Sequence, residues 1–136
     1  MDCIFCSIVS GDIPAIKVYE DTETLSFMDI NPGNPGHLLV IPKQHYRNIF
    51  DIPPETAGKI MAVGAKLAGA IKDVLRPDGL NLFQSSEAAA FQSVLHFHLH
   101  LLPRWEGDSL LLPWKPKPGN MNEIREVAAH LQECLN

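Results

Sequence analysis

The sequence predicts an α+β fold with an antiparallel sheet. Two observations carry that reading. Short strand-like apolar runs lie between proline- and glycine-rich breaks, and one long helical repeat interrupts their series. Taken in order, the strands fall at 17–20, 24–30, 37–42, 80–84 and 94–102. "NPGNPG" (31–36) separates the second from the third as a turn. The helix covers 54–75. Ile60, Val63, Leu67, Ile71, Val74 and Leu75 recur at helical spacing, with Pro53 and Pro54 ahead and Pro77 and Gly79 behind. "PWKPKPG" (113–119) reads as an extended, exposed segment, an arm over a site or a neighbouring subunit. Residues 121–135 read as a C-terminal helix.

The 136 residues form one domain, 1–136, long enough to bury a sizeable core. A hydrophobic fraction of 46% and a charged fraction of 20% are those of a soluble globular protein. The net charge of −5 argues against nucleic acid or an anionic membrane as partner. No apolar run approaches the ~20 residues of a membrane span, and the first residues lack the pattern of a signal peptide. Three cysteines, an odd number, fit a reducing cytoplasm better than a disulfide framework.

The informative stretch is "LHFHLHLLPR" (95–104), with His96, His98 and His100 at two-residue spacing. A strand sends alternate side chains to one face, so the three imidazoles would form a row roughly 6–7 Å apart. Leu95, Phe97, Leu99 and Leu101 would then back that row with core. Such a row suits metal binding, or catalysis in which one imidazole attacks and a neighbour moves the proton. Spacing does not decide between the two.

The flanking residues add a resemblance. "QSVLHFHLHLLPR" (92–104) resembles the signature of the histidine triad family of nucleotide hydrolases and transferases. "FMDINPGNPGHLLVIPKQH" (27–45) resembles its ribose-binding strand and the following stretch, and "CIFCSIVSGDIPAIKVYED" (3–21) the start of bacterial members. The resemblance implies nucleotidyl transfer at an α-phosphorus, with His98 as nucleophile and a covalent nucleotidyl-histidine that water resolves. It implies that His100 and Ser93 contact the phosphate and leaving group. His37 would orient His98 through its other ring nitrogen, and Gln92 would hold a phosphate oxygen. Asp29 would bind the ribose hydroxyls, with Phe27 and Ile30 near the base. No cofactor is required for that chemistry.

Other readings stay open at this stage. They are a nucleotidyltransferase to a phosphate or sugar-phosphate acceptor, a nucleotide-binding module with little turnover, and a metal-dependent hydrolase ligated by the histidine row. Departures from the family pattern motivate the second. In "SSEAAAFQSV" (85–94), Ser85 stands where the family has a phosphate-facing asparagine, and Glu87 and Phe91 stand at glycine positions. Phe91 removes the close backbone approach that glycine permits.

Cys3-x-x-Cys6 is half of a zinc signature. The resemblance to bacterial members completes it with His45 and His96 around a structural zinc. It also implies a homodimer whose two five-stranded sheets join into ten strands. The small residues Gly64, Ala65, Ala68 and Gly69 would allow close approach there, or equally against the chain's own sheet. Trp114 would reach the partner's site or anchor the proline-rich tail. Cys134 and His130, on the C-terminal helix, read as structural.

Overall fold

A computed structural model describes residues 2–110 and 114–135. The elements are α1 (Ile4–Ser10), β1 (Lys17–Glu20), β2 (Thr24–Met28), β3 (Leu38–Pro42), α2 (Pro54–Leu75), β4 (Gly79–Phe83), β5 (Leu99–Arg104) and α3 (Met121–Leu135). The five strands form one antiparallel sheet in the order β1-β2-β3-β5-β4. The expected α+β class, the long helix and the C-terminal helix are all present. Pro113, the first residue of the expected extended arm, lies outside the described residues.

The sheet has a core on each face because its strands are apolar on both. On one side Leu38, Val40, Phe97, Leu99 and Leu101 pack with Ile60, Leu67 and Ile71 of α2. On the other, Leu25, Phe27, Leu39 and Ile41 meet Cys3, Phe5 and Ile8 of the α1 region. Helix α2 starts with Pro54 in its first turn, where a missing N–H costs nothing, and stops at Arg76, before Pro77. Its buried positions Ile60, Gly64, Leu67 and Ile71 form the expected stripe. A Cβ on Gly64 would sit 2.9 Å from Leu99 Cδ2, so this glycine serves contact with the chain's own sheet, whereas Gly69 faces open space.

Strand β4 is shifted by one residue and β5 runs on to Arg104, and three further boundary differences lie at the site. Strand β2 ends at Met28, so Asp29 and Ile30 sit just past it, and β3 begins at Leu38, one residue after His37. The largest correction concerns 94–102. Only His100 lies within β5, which starts at Leu99; His96 and His98 precede it. The register that pairs Val40 with Leu99 would put Pro42 opposite Phe97. Proline has no N–H to give a ladder, and Phe97 instead donates to the Tyr46 carbonyl at 2.7 Å. The alternation survives this bend for Phe97, Leu99 and Leu101, but Leu95, expected in the core, is 49% exposed.

Helix α1 is an element the strand-and-helix pattern did not reveal. No described helix is long and apolar enough to cross a membrane. His130 and Cys134, expected as structural, are exposed, as is every described residue of α3.

Candidate active site

The histidine row divides between two environments. His96 is fully buried and joins Cys3, Cys6 and His45 in a cluster of four ligand atoms. The His96 Nδ1 lies 3.4 Å from Cys3 Sγ, 3.6 Å from Cys6 Sγ and 3.1 Å from His45 Nδ1; Cys6 Sγ to His45 Nδ1 is 3.4 Å. Zinc bonded to two thiolates and two imidazoles would set tetrahedral edges of about 3.3–3.8 Å. The three sulfur–nitrogen edges fall in that range and the His45–His96 edge lies just below it, so the spacing fits closely. So does the proton placement. His96 Nε2 lies 2.9 Å from the Pro42 carbonyl, which can only accept, so the proton sits on Nε2 and Nδ1 is free to ligate. Burial pushes the Cys6 thiol up, with Cys3 adding to it, so a thiolate there calls for a cation. The four residues expected at a metal site are thus brought together, and they can hold one.

His98 and His100 line a cleft of about 470 Å³ whose wall also includes Phe27, Asp29, Ile30, His37 and Ser93. His98 Nδ1 donates to the His96 carbonyl at 2.7 Å, which leaves the lone pair on Nε2. Phe5 packs edge-on against its ring, 5.1 Å between centroids. His37 was expected to orient His98, but the structure assigns that task to the His96 carbonyl. His37 bonds His100 instead: the Gly33 N–H donates to His37 Nδ1 at 2.9 Å, so the His37 proton is on Nε2, 2.9 Å from His100 Nδ1. That leaves the His100 proton on Nε2. Phe83 stacks on His100 at 4.3 Å, with 9° between the rings.

Burial holds His98, His37 and His100 below the ordinary histidine range, His100 down to about 4, where the neighbouring histidines add to the effect. All three are therefore neutral at pH 7. Asp29 Oδ1 accepts from the Asn31 N–H at 2.8 Å while Oδ2 lies 3.6 Å from His37 Nε2, so it shapes the turn and faces the cleft at once. The turn itself is tied down by Asn34, whose amide donates to the Pro103 carbonyl at 2.9 Å and to Asp108 at 3.0 Å. Asp29, His37 and His100 also form a three-member cluster. With its Nδ1 taken by Gly33 and its Nε2 protonated, His37 has no lone pair for a metal, so the two clusters differ in kind.

Two expected contacts are absent from this wall. Gln92 was expected at the phosphate, yet its amide is fully used inside the chain. Its Oε1 accepts from the Glu87 N–H (2.8 Å) and Asn48 Nδ2 (3.2 Å), and its Nε2 donates to the Arg47 (2.7 Å) and Val94 (3.0 Å) carbonyls. Ser85 is likewise off the cleft wall. The loop between them is strained. Glu87 has φ 73° and ψ 164°, a region almost confined to glycine, and Phe91 is left-handed at φ 66°. Each such residue costs on the order of 1–3 kcal/mol. Glu87 is held there by Asn48 Nδ2 at 3.0 Å and Arg47 Nη2 at 3.2 Å, which keep its carboxyl below the usual range, Asn48 contributing most. Sequence reading missed Phe5, Phe83 and the buried Asn48; nothing local distinguishes them from ordinary core and turn residues.

A family model described as the HIT domain matches residues 10–107. The chain belongs to the HIT family. Among HIT relatives, the protein hit of Bacillus subtilis is 44% identical over 134 residues, 94% of this chain and 92% of its own length. An adenosine 5'-monophosphoramidase of Schizosaccharomyces pombe is 35% identical over 136 residues, covering 99% of both. A structure described as a Zn-bound histidine triad family protein from Mycobacterium smegmatis superposes with a TM-score of 0.78 at 43% identity, over 98% of both chains. The HIT fold expected from the sequence is the fold observed.

Proposed function

We propose that this HIT domain hydrolyses nucleoside phosphoramidates or dinucleoside polyphosphates at the α-phosphorus, through a nucleotidyl-His98 intermediate, releasing a nucleoside monophosphate. The observation that carries this is the 2.7 Å bond from His98 Nδ1 to the His96 carbonyl. It fixes a neutral imidazole with its Nε2 lone pair free beside the cleft, the form a nucleophile needs at pH 7. As the Nε2–phosphorus bond forms, the bond to the leaving group breaks and its electron pair leaves with that group. An amine leaving group takes up a proton from solvent, and a phosphate departs as the anion. The ring becomes cationic, and the carbonyl on Nδ1–H stabilises it. His100 Nε2–H is then a donor for a phosphate oxygen or for the leaving group, held in that tautomer by His37. Ser93 stands on the same wall, and Asp29, Phe27 and Ile30 line the nucleoside end. In the second step water attacks the phosphorus, the bond to His98 Nε2 breaks with its electron pair returning to the ring, and the surplus proton goes to solvent, which restores neutral His98.

Cys3, Cys6, His45 and His96 would hold zinc, as the donor set and the Zn-described relative both support. Bound there, the ion supplies a structural cross-link between α1 and the stretch leading into β5. We further assign the protein to the cytoplasm as a homodimer acting on nucleotides, in keeping with the resemblance.

The test is nucleoside monophosphate release from an adenosine phosphoramidate, a guanosine phosphoramidate and a dinucleoside tetraphosphate, with and without chelator. His98→Ala should lose at least about a thousandfold in rate, while chelator that leaves the protein folded should not stop turnover. A specific observation favours a second reading, a nucleotide-binding module: Gln92 is engaged internally and the loop is strained. Tight nucleotide binding with no release by the wild type would decide for it.

A further inference from the structure

Beside the His98 cleft lies a second one, of about 500 Å³, lined by Asp2, Cys3, Ile4, His45, Arg47, Ser93, Val94 and Leu95. Ile4, Ser93 and Val94 belong to both walls, so the two spaces adjoin at the expected phosphate contact. Across both walls, among the described residues, Arg47 is the only lysine or arginine. A chain of net charge −5 that takes a nucleotide has one guanidinium at its site, and it is here.

That guanidinium already holds an anion. Glu87 Oε2 lies 3.2 Å from Arg47 Nη2, with both side chains about half exposed, 54% and 48%. Exposed pairs of this kind are weak and readily exchanged for another anion. The arginine backbone is fixed while its side chain is not. Its N–H donates to Asp51 at 3.0 Å and its carbonyl accepts from Gln92 at 2.7 Å. Glu87 reaches it from a glycine-like backbone, and its other carboxylate oxygen accepts from Asn48 Nδ2 at 3.0 Å. Asp51 and Asp2 are the other carboxylates near this arginine, and neither side chain is paired with its guanidinium.

We infer that Arg47 selects substrates whose leaving group carries an anion, a carboxylate or a phosphate, and that the Glu87 carboxylate occupies its place in the unliganded chain. This rests on the hydrolase reading above and names its substrate class. Ser93 marks the border where the nucleotidyl group ends, and the adjoining cleft receives the leaving group with its charge on Arg47. Guanidinium binds either anion through charge-assisted hydrogen bonds. A substrate must displace Glu87, which is the discriminating step: an uncharged leaving group has nothing to offer in exchange.

The test uses three adenylyl compounds: AMP joined through nitrogen to glycine, AMP joined through nitrogen to a neutral amine, and diadenosine tetraphosphate. The quantity read is the ratio of kcat/KM for each anionic compound to that for the neutral one. Arg47→Ala should lower the ratio about tenfold or more, through KM, and Arg47→Lys should restore part of it. Glu87→Gln, which removes the competing charge, should raise it. The glycine and tetraphosphate arms tell a carboxylate from a phosphate. An unchanged ratio in Arg47→Ala overturns the inference. Should no compound be hydrolysed, the hydrolase reading fails separately. All three are then stable ligands, and calorimetric affinities give the same ratio, whose loss in Arg47→Ala supports the inference and whose persistence overturns it.

Discussion

At the scale of single residues, the site is organised by which nitrogen of each imidazole carries the proton. Carbonyl acceptors settle this at His96 and His98, and a backbone N–H settles it at His37. The identities of these residues were legible in the sequence, because three histidines at two-residue spacing beside "QSV" are seldom accidental. Their tautomers were not, since each is set by backbone groups that arrive from elsewhere in the fold. The same is true of Gln92, whose neighbours in sequence do not foretell that Asn48 and Glu87 engage it. Buried neutral imidazoles also have a consequence for stability. His100 binds its proton near pH 6.5 when unfolded and near 4 when folded. Between those values the unfolded state holds more protons, so stability rises with pH there. The contribution is complete above about pH 6.5 and is lost as pH falls towards 4, at most about 3 kcal/mol. Urea denaturation at pH 7, 6 and 5 should show this loss, and His100→Asn should flatten it. Equal slopes for both proteins would remove His100 from the explanation.

At the scale of elements, the helices α2 and α3 and the first four strands could be read from periodicity and punctuation to within a residue or two. Two things escaped. Residues 94–98 alternate like a strand because alternate side chains do go to opposite sides, yet Pro42 ends the ladder and the backbone bends. Helix α1 escaped because seven residues are too few to display a period. Its hold on the domain is thin: Phe5 and Ile8 in the core, and Cys3 and Cys6 in the four-ligand cluster. A metal that binds only the folded cluster adds its binding free energy to stability. Removing it should therefore lower the melting temperature, by about 10 °C if some 3 kcal/mol is lost. Hydrogen exchange should quicken over 3–13 before the rest of the sheet. Cys6→Ser should reproduce both effects, and a chelator-treated protein that melts and exchanges as before would mean that packing alone holds α1.

At the scale of the whole molecule, two exposed apolar surfaces stand out among the described residues. Helix α3 carries Ile124, Val127, Leu131 and Leu135 at helical spacing, each 49–85% exposed. Along α2 and β4, Val74 is 78% exposed, with Leu75, Leu82 and Phe83 at 37–39%. A 15-residue helix with no core of its own is marginal in water. Its amphipathic stripe therefore gains most of its stability from being covered, and a second copy of the chain offers matching apolar area. The helix was readable from the sequence, but the exposure of its stripe was not, because only the folded chain shows what packs against it. The full chain should sediment as a dimer at micromolar concentration. Leu131→Glu, which puts a charge in the stripe without touching the sheet, should shift it towards monomer and reduce the helical signal by the share that α3 contributes. A wild-type chain that sediments as a monomer with α3 still helical would show that the helix stands without a partner, and the homodimer would have to be given up.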